Sequence, residues 1–291
     1  MHKNKFFLLA CSLVLACTSL LSCTSGNKSD SGQINIALNF KEGEQYLYTT
    51  EVKQHINSAG MGTEQSMLME MIYEVAGAEN NNKKLRITYD RVKMSVGNVA
   101  FDSRDSSSQT DPDLGMVHTL IGKSFELYLA PDGEIVRVEG LEPFAALGAP
   151  GAENPFSDTA VRLMMQNSFD LYPGKPVAVG EQWVKKSQMG FSGIKVNVEN
   201  TYTLKAIKDN EAEIIVKSVM NLPAMDMALA PGQNMKVEMQ GTQDGTIEMD
   251  INSGRIIHSK TTQVIKGKMS MGGGELPMDI SGDITIDSRK L

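Results

Sequence analysis

From Gln33 onward, apolar and polar residues alternate with a period of two, the pattern of strands that bury one face. Met67, Met69, Met71, Tyr73 and Val75 fall on one side of such a run, and Ser66, Glu70 and Glu74 on the other. Ile194, Val196, Val198, Tyr202 and Leu204 alternate in the same way against Lys195, Asn197, Glu199, Thr201 and Lys205. Turn signals stand at Asn80-Asn81-Asn82, Pro131-Asp132-Gly133, Lys208-Asp209-Asn210, Asp244-Gly245 and Asn252-Ser253-Gly254. Close turns between long strands predict antiparallel meanders.

The meander is written twice. Gly43-Glu44-Gln45-Tyr46 recurs as Gly180-Glu181-Gln182-Trp183, and a strand bearing Tyr73 recurs as one bearing Tyr202. The hairpin from Phe125 to Val136 matches the one from Ile247 to Ile257. The order of elements is kept while the loops between them shorten, as surface deletions would leave it. Between the copies lies a helical segment. Ser157 or Asp158 can cap it, Val161, Met164, Met165, Ser168 and Tyr172 form its apolar stripe, and Pro173-Gly174 stops it. A shorter helix is expected from Leu141 to Leu147. The expected fold is mainly β: two duplicated antiparallel meander halves forming a curved sheet or half-barrel, with one or two central helices packed on it.

The first residues read differently. His2, Lys3 and Lys5 precede a nearly uncharged run from Phe6 to Leu21, the form of a secretory signal. The run is shorter than the roughly 18 to 20 residues of a spanning helix. Leu20-Leu21-Ser22-Cys23 resembles the lipobox of bacterial lipoproteins, which implies cleavage before Cys23 and acylation of its thiol. Val14-Leu15-Ala16-Cys17 also matches, but a cut there would leave Leu20 and Leu21 exposed in the tether. The plain secreted protein with a free Cys near its start is the remaining alternative. The expected organisation is a signal peptide over 1–22, a polar tether over 23–32, a first β-rich half over 33–148, the central helix and linker over 149–176, and a second β-rich half over 177–291. Each buried methylene adds about 0.8 kcal/mol, so two or three acyl chains hold a protein on a bilayer.

Composition then removes functions. The chain of 291 residues carries a net charge of -7 and no basic cluster, which excludes nucleic acid as a partner. Cys11, Cys17 and Cys23 are its only cysteines, so the folded part has no disulfide, thiolate metal site or Cys nucleophile. His55, His118 and His258 lie far apart, and His55 shares a face with Glu51 and Lys53, as a solvated residue would. Gly122-Lys123-Ser124 imitates the end of a phosphate loop, but Val117 stands where its first Gly belongs. Asp102, Asp105, Asp111 and Asp113 share a Ser-rich stretch at a spacing that misses the calcium loop. No cofactor and no enzymatic activity are expected.

The lipobox, the two β-rich halves, the central helix and the segment Tyr172-Pro173-x-x-Pro176-Val177-x-x-Gly180-Glu181-x-Trp183 together resemble an uncharacterised lipoprotein family widespread in Bacteroidetes, which has no assigned activity. The layout also resembles, at the level of fold, the LolA-like lipoprotein carriers. That second resemblance implies a half-barrel wrapped around helices and an apolar cavity.

Nineteen methionines are the unusual feature. Three uses stay open: gap-filling core, adaptable lining of a cavity, or thioether ligation of Cu(I), which the lack of His or Cys beside them counts against. As cavity lining the candidates are Met67, Met69, Met71, Met164, Met225, Met227, Met235 and Met239. The leading expectation is an envelope lipoprotein that reaches the membrane through its lipid and binds an apolar or lipid ligand. The competing one is a structural or protein-interaction lipoprotein of the envelope with a dry core. Thr24 after the Cys, in place of Asp, points to the outer membrane by analogy with enteric sorting.

Overall fold

The alternation is realised along almost the whole chain. The computed structural model describes residues 32–58, 60–105, 115–147, 156–191, 194–230, 233–271 and 274–291. Cys23, the rival Cys17, the expected signal peptide, most of the expected tether, Asp111 and Asp113 lie outside these residues. The first half supplies β1 (Gln45–Ser58), β2 (Met61–Glu79), β3 (Asn82–Val96), β4 (Val99–Asp102), a one-turn helix α1 (Gly115–His118), β5 (Ser124–Leu129) and β6 (Ile135–Glu139). Helix α2 (Asp158–Phe169) leads to β7 (Gln182–Phe191), β8 (Ile194–Lys208), β9 (Glu211–Ala230), β10 (Gln233–Asp250), β11 (Arg255–Met271) and β12 (Gly274–Lys290). All twelve strands form one antiparallel, curved, open sheet that does not close into a barrel. Its order is β6-β5-β3-β2-β1-β12-β11-β10-β9-β8-β7, with β4 beside β3. The two meanders therefore lie side by side in the same sense, and β12 joins them between β1 and β11.

The duplication is repeated in detail. Gly43 and Gly180 both take positive φ, 81° and 88°, a conformation that favours glycine. Gly43 N–H donates to Val75 O while Val75 N–H donates to Glu44 O, both at 2.9 Å. In the second copy Gly180 N–H donates to Leu204 O at 2.7 Å and Leu204 N–H to Glu181 O at 3.1 Å. Tyr46 stands opposite Tyr73, and Trp183 opposite Tyr202, where the two rings stack at 5.5 Å. The turns Asn80-Asn81 and Asp209-Asn210 both carry two residues at positive φ, as a two-residue hairpin loop of the primed type requires. The strand after each tyrosine also bulges at the same place, between Val75 and Gly77 and between Leu204 and Ala206.

One expected turn is absent. Asp244-Gly245 lies inside β10, where Gly245 faces Thr261. A Cβ on Gly245 would run into the backbone oxygen of Lys260, and one on Gly282 in β12 into that of Lys53. Gly241 and Gly267 are also crowded, with neighbouring atoms at 2.7 and 2.5 Å from a built Cβ. These glycines let adjacent backbones approach closely, which bends a long sheet sharply without ending its strands. A glycine inside a strand and a glycine in a turn look alike in sequence.

The hollow of the sheet holds the core. Ile34, Ile36, Leu38 and Phe40 alternate inward along an extended segment that bridges to Val177 and donates from Asn39 N to Ser253 O. Ser157 caps α2 by accepting from Ala160 N, as expected. Its buried stripe is Val161, Met165 and Phe169, whereas Met164 is 39% exposed and Ser168 exposed. The helix stops at Phe169, before Tyr172, whose hydroxyl donates to Gly254 O at 2.9 Å. The expected helix at Leu141–Leu147 is a 3-10 turn, Glu142–Leu147, that buries Phe144. Helix α2 also serves an edge of the sheet. Gln166 accepts from Ile135 N–H and donates to Gly133 O, and Arg162 donates to Ile135 O, so β6 finds partners without another strand.

Ionic contacts fasten the outside. Glu44 accepts from Lys290 at 2.8 Å, Tyr46 at 2.7 Å and the Lys41 N–H at 2.9 Å, tying the end of the chain to the start of β1. Lys290 chiefly draws the Glu44 carboxyl down from an ordinary 4.5 to about 2, against the opposing effect of burial. Arg91, paired at 2.6 Å, does the same for Asp102, from 3.8 to about 2. Both groups titrate lower folded than unfolded, so their stabilisation is complete above about pH 5 and is lost as pH falls through the folded values. The thermal midpoint by circular dichroism should stay level from about pH 7 to 5 and drop between about pH 4.5 and 2. Glu44→Gln should make that drop shallower. A midpoint that holds level down to about pH 2 contradicts this assignment.

Candidate ligand trough on the concave face

Strand register sorts the inward residues into rows across the sheet. The rows through Met71 and Met69, the two lower rows, face α2 and enclose a cavity of about 170 Å³. Met69, Met71 and Met164 line it, with Met165 and the rings of Tyr73 and Tyr172. The surroundings are apolar, and burial pushes the Tyr73 and Tyr172 hydroxyls well above the ordinary tyrosine range, so both stay protonated. Ligand pockets run about 300 to 1,000 Å³, so this cavity is too small to hold a whole lipid chain.

Met67, Met225, Met235 and Met239 lie elsewhere on the same face. Met67 stands one row further out, opposite Val52 and Met94, and does not line the cavity. Met225 pairs with Val237, Met227 with Met235, and Met239 with Leu222, near the far ends of β9 and β10. The structure therefore splits the expected set in two. Three members gather under α2, and Met225, Met235 and Met239 share the far end of the hollow with Met220, Met269 and Met278.

That far region is apolar across strands. One row reads Val198, Met220, Gly241, Ile265, Ile280, Ile56 from β8 to β1, and the next includes Leu222, Met239, Gly267 and Met278. Val198, Met220, Leu222 and Val237 are buried, Met225, Met235, Met239 and Met269 half-buried, and Met61 at the β2 end is 73% exposed. The opposite face of the same strands carries Lys217, Lys260, Lys266, Lys268, Asp279 and Asp283. A sheet with water on both sides would not keep one face apolar for so long.

A polar row separates the two apolar regions. From β7 to β2 it reads Lys185, Asn200, Ser218, Gln243, Gln263, Gly282, Gln54, Gln65, each opposite the next. Asn200, Ser218 and Gln263 are 3%, 5% and 6% exposed. Ser218 donates to Asn200 Oδ1 at 2.6 Å, and Gln243 donates to Thr261 Oγ1 at 2.5 Å. Reading single strands misses this row, because Asn200 interrupts an otherwise apolar run and looks like an isolated exception. Only the register across eight strands reveals it.

The row ends in a groove of about 920 Å³ between α2 and β7–β9, lined by Arg162, Asp170, Lys185, Lys186, Ser187 and Glu199 among others. Its charges are of both signs, and several are already paired, Lys186 with Glu199 at 2.9 Å and Arg162 with Asp158 at 3.2 Å. It is larger than the apolar cavity but has the character of a solvated entrance. His55 and His258 are exposed beside Glu64 and Asp287, each at 2.7 Å. Among the described residues no cluster of three His, Cys, Asp or Glu stands where it could hold a metal, and no helix is long and apolar enough to cross a membrane.

The sequence profile described as "Family of unknown function (DUF6263)" matches residues 80–147 and 151–256, together more than half of the chain. No curated protein matches. Among solved structures, the COG4313 outer membrane channel from Pseudomonas putida F1 is 7% identical over 91% of this chain and 99% of that one, with a TM-score of 0.21. Similarity at that level supports no argument about fold or function.

Proposed function

Because the chain belongs to the DUF6263 family of unknown function, its own residues must carry the reading, and we propose that it is a lipid-anchored lipoprotein of the cell envelope that binds an apolar ligand without catalysing a reaction. The observation that carries the binding is the methionine-rich apolar surface beyond the polar row, in register over β8 to β1. Unbranched thioether side chains adapt to a chain of variable shape better than β-branched ones do. The cavity under α2 is a separate small apolar recess on the near side of the polar row. The anchor rests on the lipobox at Cys23 alone, and the outer membrane on Thr24 after it.

A dry structural protein is the second reading, and the small volume under α2 favours it for the lower rows only. Two preparations test the two parts. Intact mass spectrometry of protein made in its own envelope should show cleavage before Cys23 and added acyl chains, and Cys23→Ser should abolish both. Native mass spectrometry of residues 24–291, purified without detergent, should show a co-purifying apolar ligand. Acylation at Cys17 would overturn the anchor assignment. A clean apo mass that stays unchanged after exposure to extracted envelope lipids would overturn the binding assignment.

A further inference from the structure

The polar row is an unexpected thing to bury inside an apolar hollow. Groups removed from water need hydrogen-bond partners, and Asn200, Ser218 and Gln243 have them. Gln263 does not. Its side chain is 6% exposed, and its amide has no hydrogen bond among the described residues, although it sits at the centre of the row between Gln243 and Gly282. Gly282 presents no side chain there, and the backbone and Cγ of Gln54 on the next strand press close against it. A buried amide offers one acceptor and two donors.

We propose that this row recognises the uncharged linkage of an amphiphile: the Gln263 amide hydrogen-bonds the ester or amide group that joins an acyl chain to its head, while the chain lies along the methionine-rich rows beyond. The proposal rests on the apolar-ligand reading and adds the chemical class of the ligand to it. Two features set that class. Asn200, Ser218, Gln243, Gln263, Gln54 and Gln65 are all neutral, and a carboxylate buried among them would lack a counter-ion. The only cation in the row, Lys185, stands at its β7 end, in the charged groove, where a polar head would emerge toward water. The geometry thus orders an amphiphile as chain, linkage and head from one end of the hollow to the groove.

The test uses residues 24–291 without acyl chains and the fluorescent apolar probe N-phenyl-1-naphthylamine, displaced in turn by tetradecane, methyl myristate, N-methylmyristamide and myristate. Comparing each competitor between the wild type and Gln263→Leu cancels differences in solubility. The variant should fold about as well as the wild type, since leucine replaces a side chain that makes no hydrogen bond among the described residues. It should lose about tenfold in affinity for the ester and the amide and nothing for tetradecane. Equal loss for all four competitors, or no loss for any, overturns recognition by Gln263 and leaves the apolar-ligand reading standing. Myristate binding the wild type more tightly than its methyl ester overturns the uncharged class. Failure of the probe to bind at all overturns the apolar-ligand reading and this proposal with it.

Discussion

The structure depends on keeping one face of a single twelve-stranded sheet out of water. A sheet this wide cannot be covered by one helix of twelve residues. It hides its apolar face by curving around it, and the curvature needs places where strand backbones can nearly touch. Gly241, Gly245, Gly267 and Gly282 provide them on three consecutive strands, at positions where a side chain would strike the neighbouring strand. Helix α2 and the segment from Ile34 to Phe40 then fill the half of the hollow nearest the hairpin turns, and the glutamine-rich row marks where that filling ends.

The duplication explains how such a sheet can be assembled from repeated parts. Each copy begins with the same glycine–glutamate step, in which the carboxylate accepts an N–H three residues back, Lys41 for Glu44 and Ala178 for Glu181. Each copy then places an aromatic pair opposite one another and turns through two residues of positive φ. Strand β12 has no counterpart in the first copy. Its place between β1 and β11 converts two meanders into one continuous surface, and the Lys290–Glu44 ion pair fastens it there.

Much of this was legible in the sequence because it is local. Alternation identified the inward residues of β2 and β8, and the repeated Gly-Glu-Gln-aromatic motif identified the two strand starts. Ser157 and Pro173-Gly174 bracketed α2. What needed the structure was register. Asp244-Gly245 has the composition of a turn, and nothing within β10 announces that a neighbouring backbone presses on Gly245. The candidate methionines of β2 alternate on one face, but their distances from those of β9 and β10 depend on strand offsets, so Met69 and Met71 meet Met164 of α2 while Met225, Met235 and Met239 stand apart. Asn200, Ser218, Gln243 and Gln263 form a row only when four strands are aligned. No single strand contains that information.

The central claim is that the far, methionine-rich part of the hollow, rather than the small cavity under the helix, takes the ligand. Methionine itself reports on this, since an accessible thioether is oxidised to the sulfoxide and a covered one is spared. Residue-resolved mass spectrometry after mild peroxide treatment, with and without saturating methyl myristate, is the most direct measurement. Ligand should slow oxidation of Met225, Met235, Met239 and Met269 and leave the exposed Met61 unchanged. Protection confined to Met69 and Met164, or equal rates with and without ligand, would contradict the account.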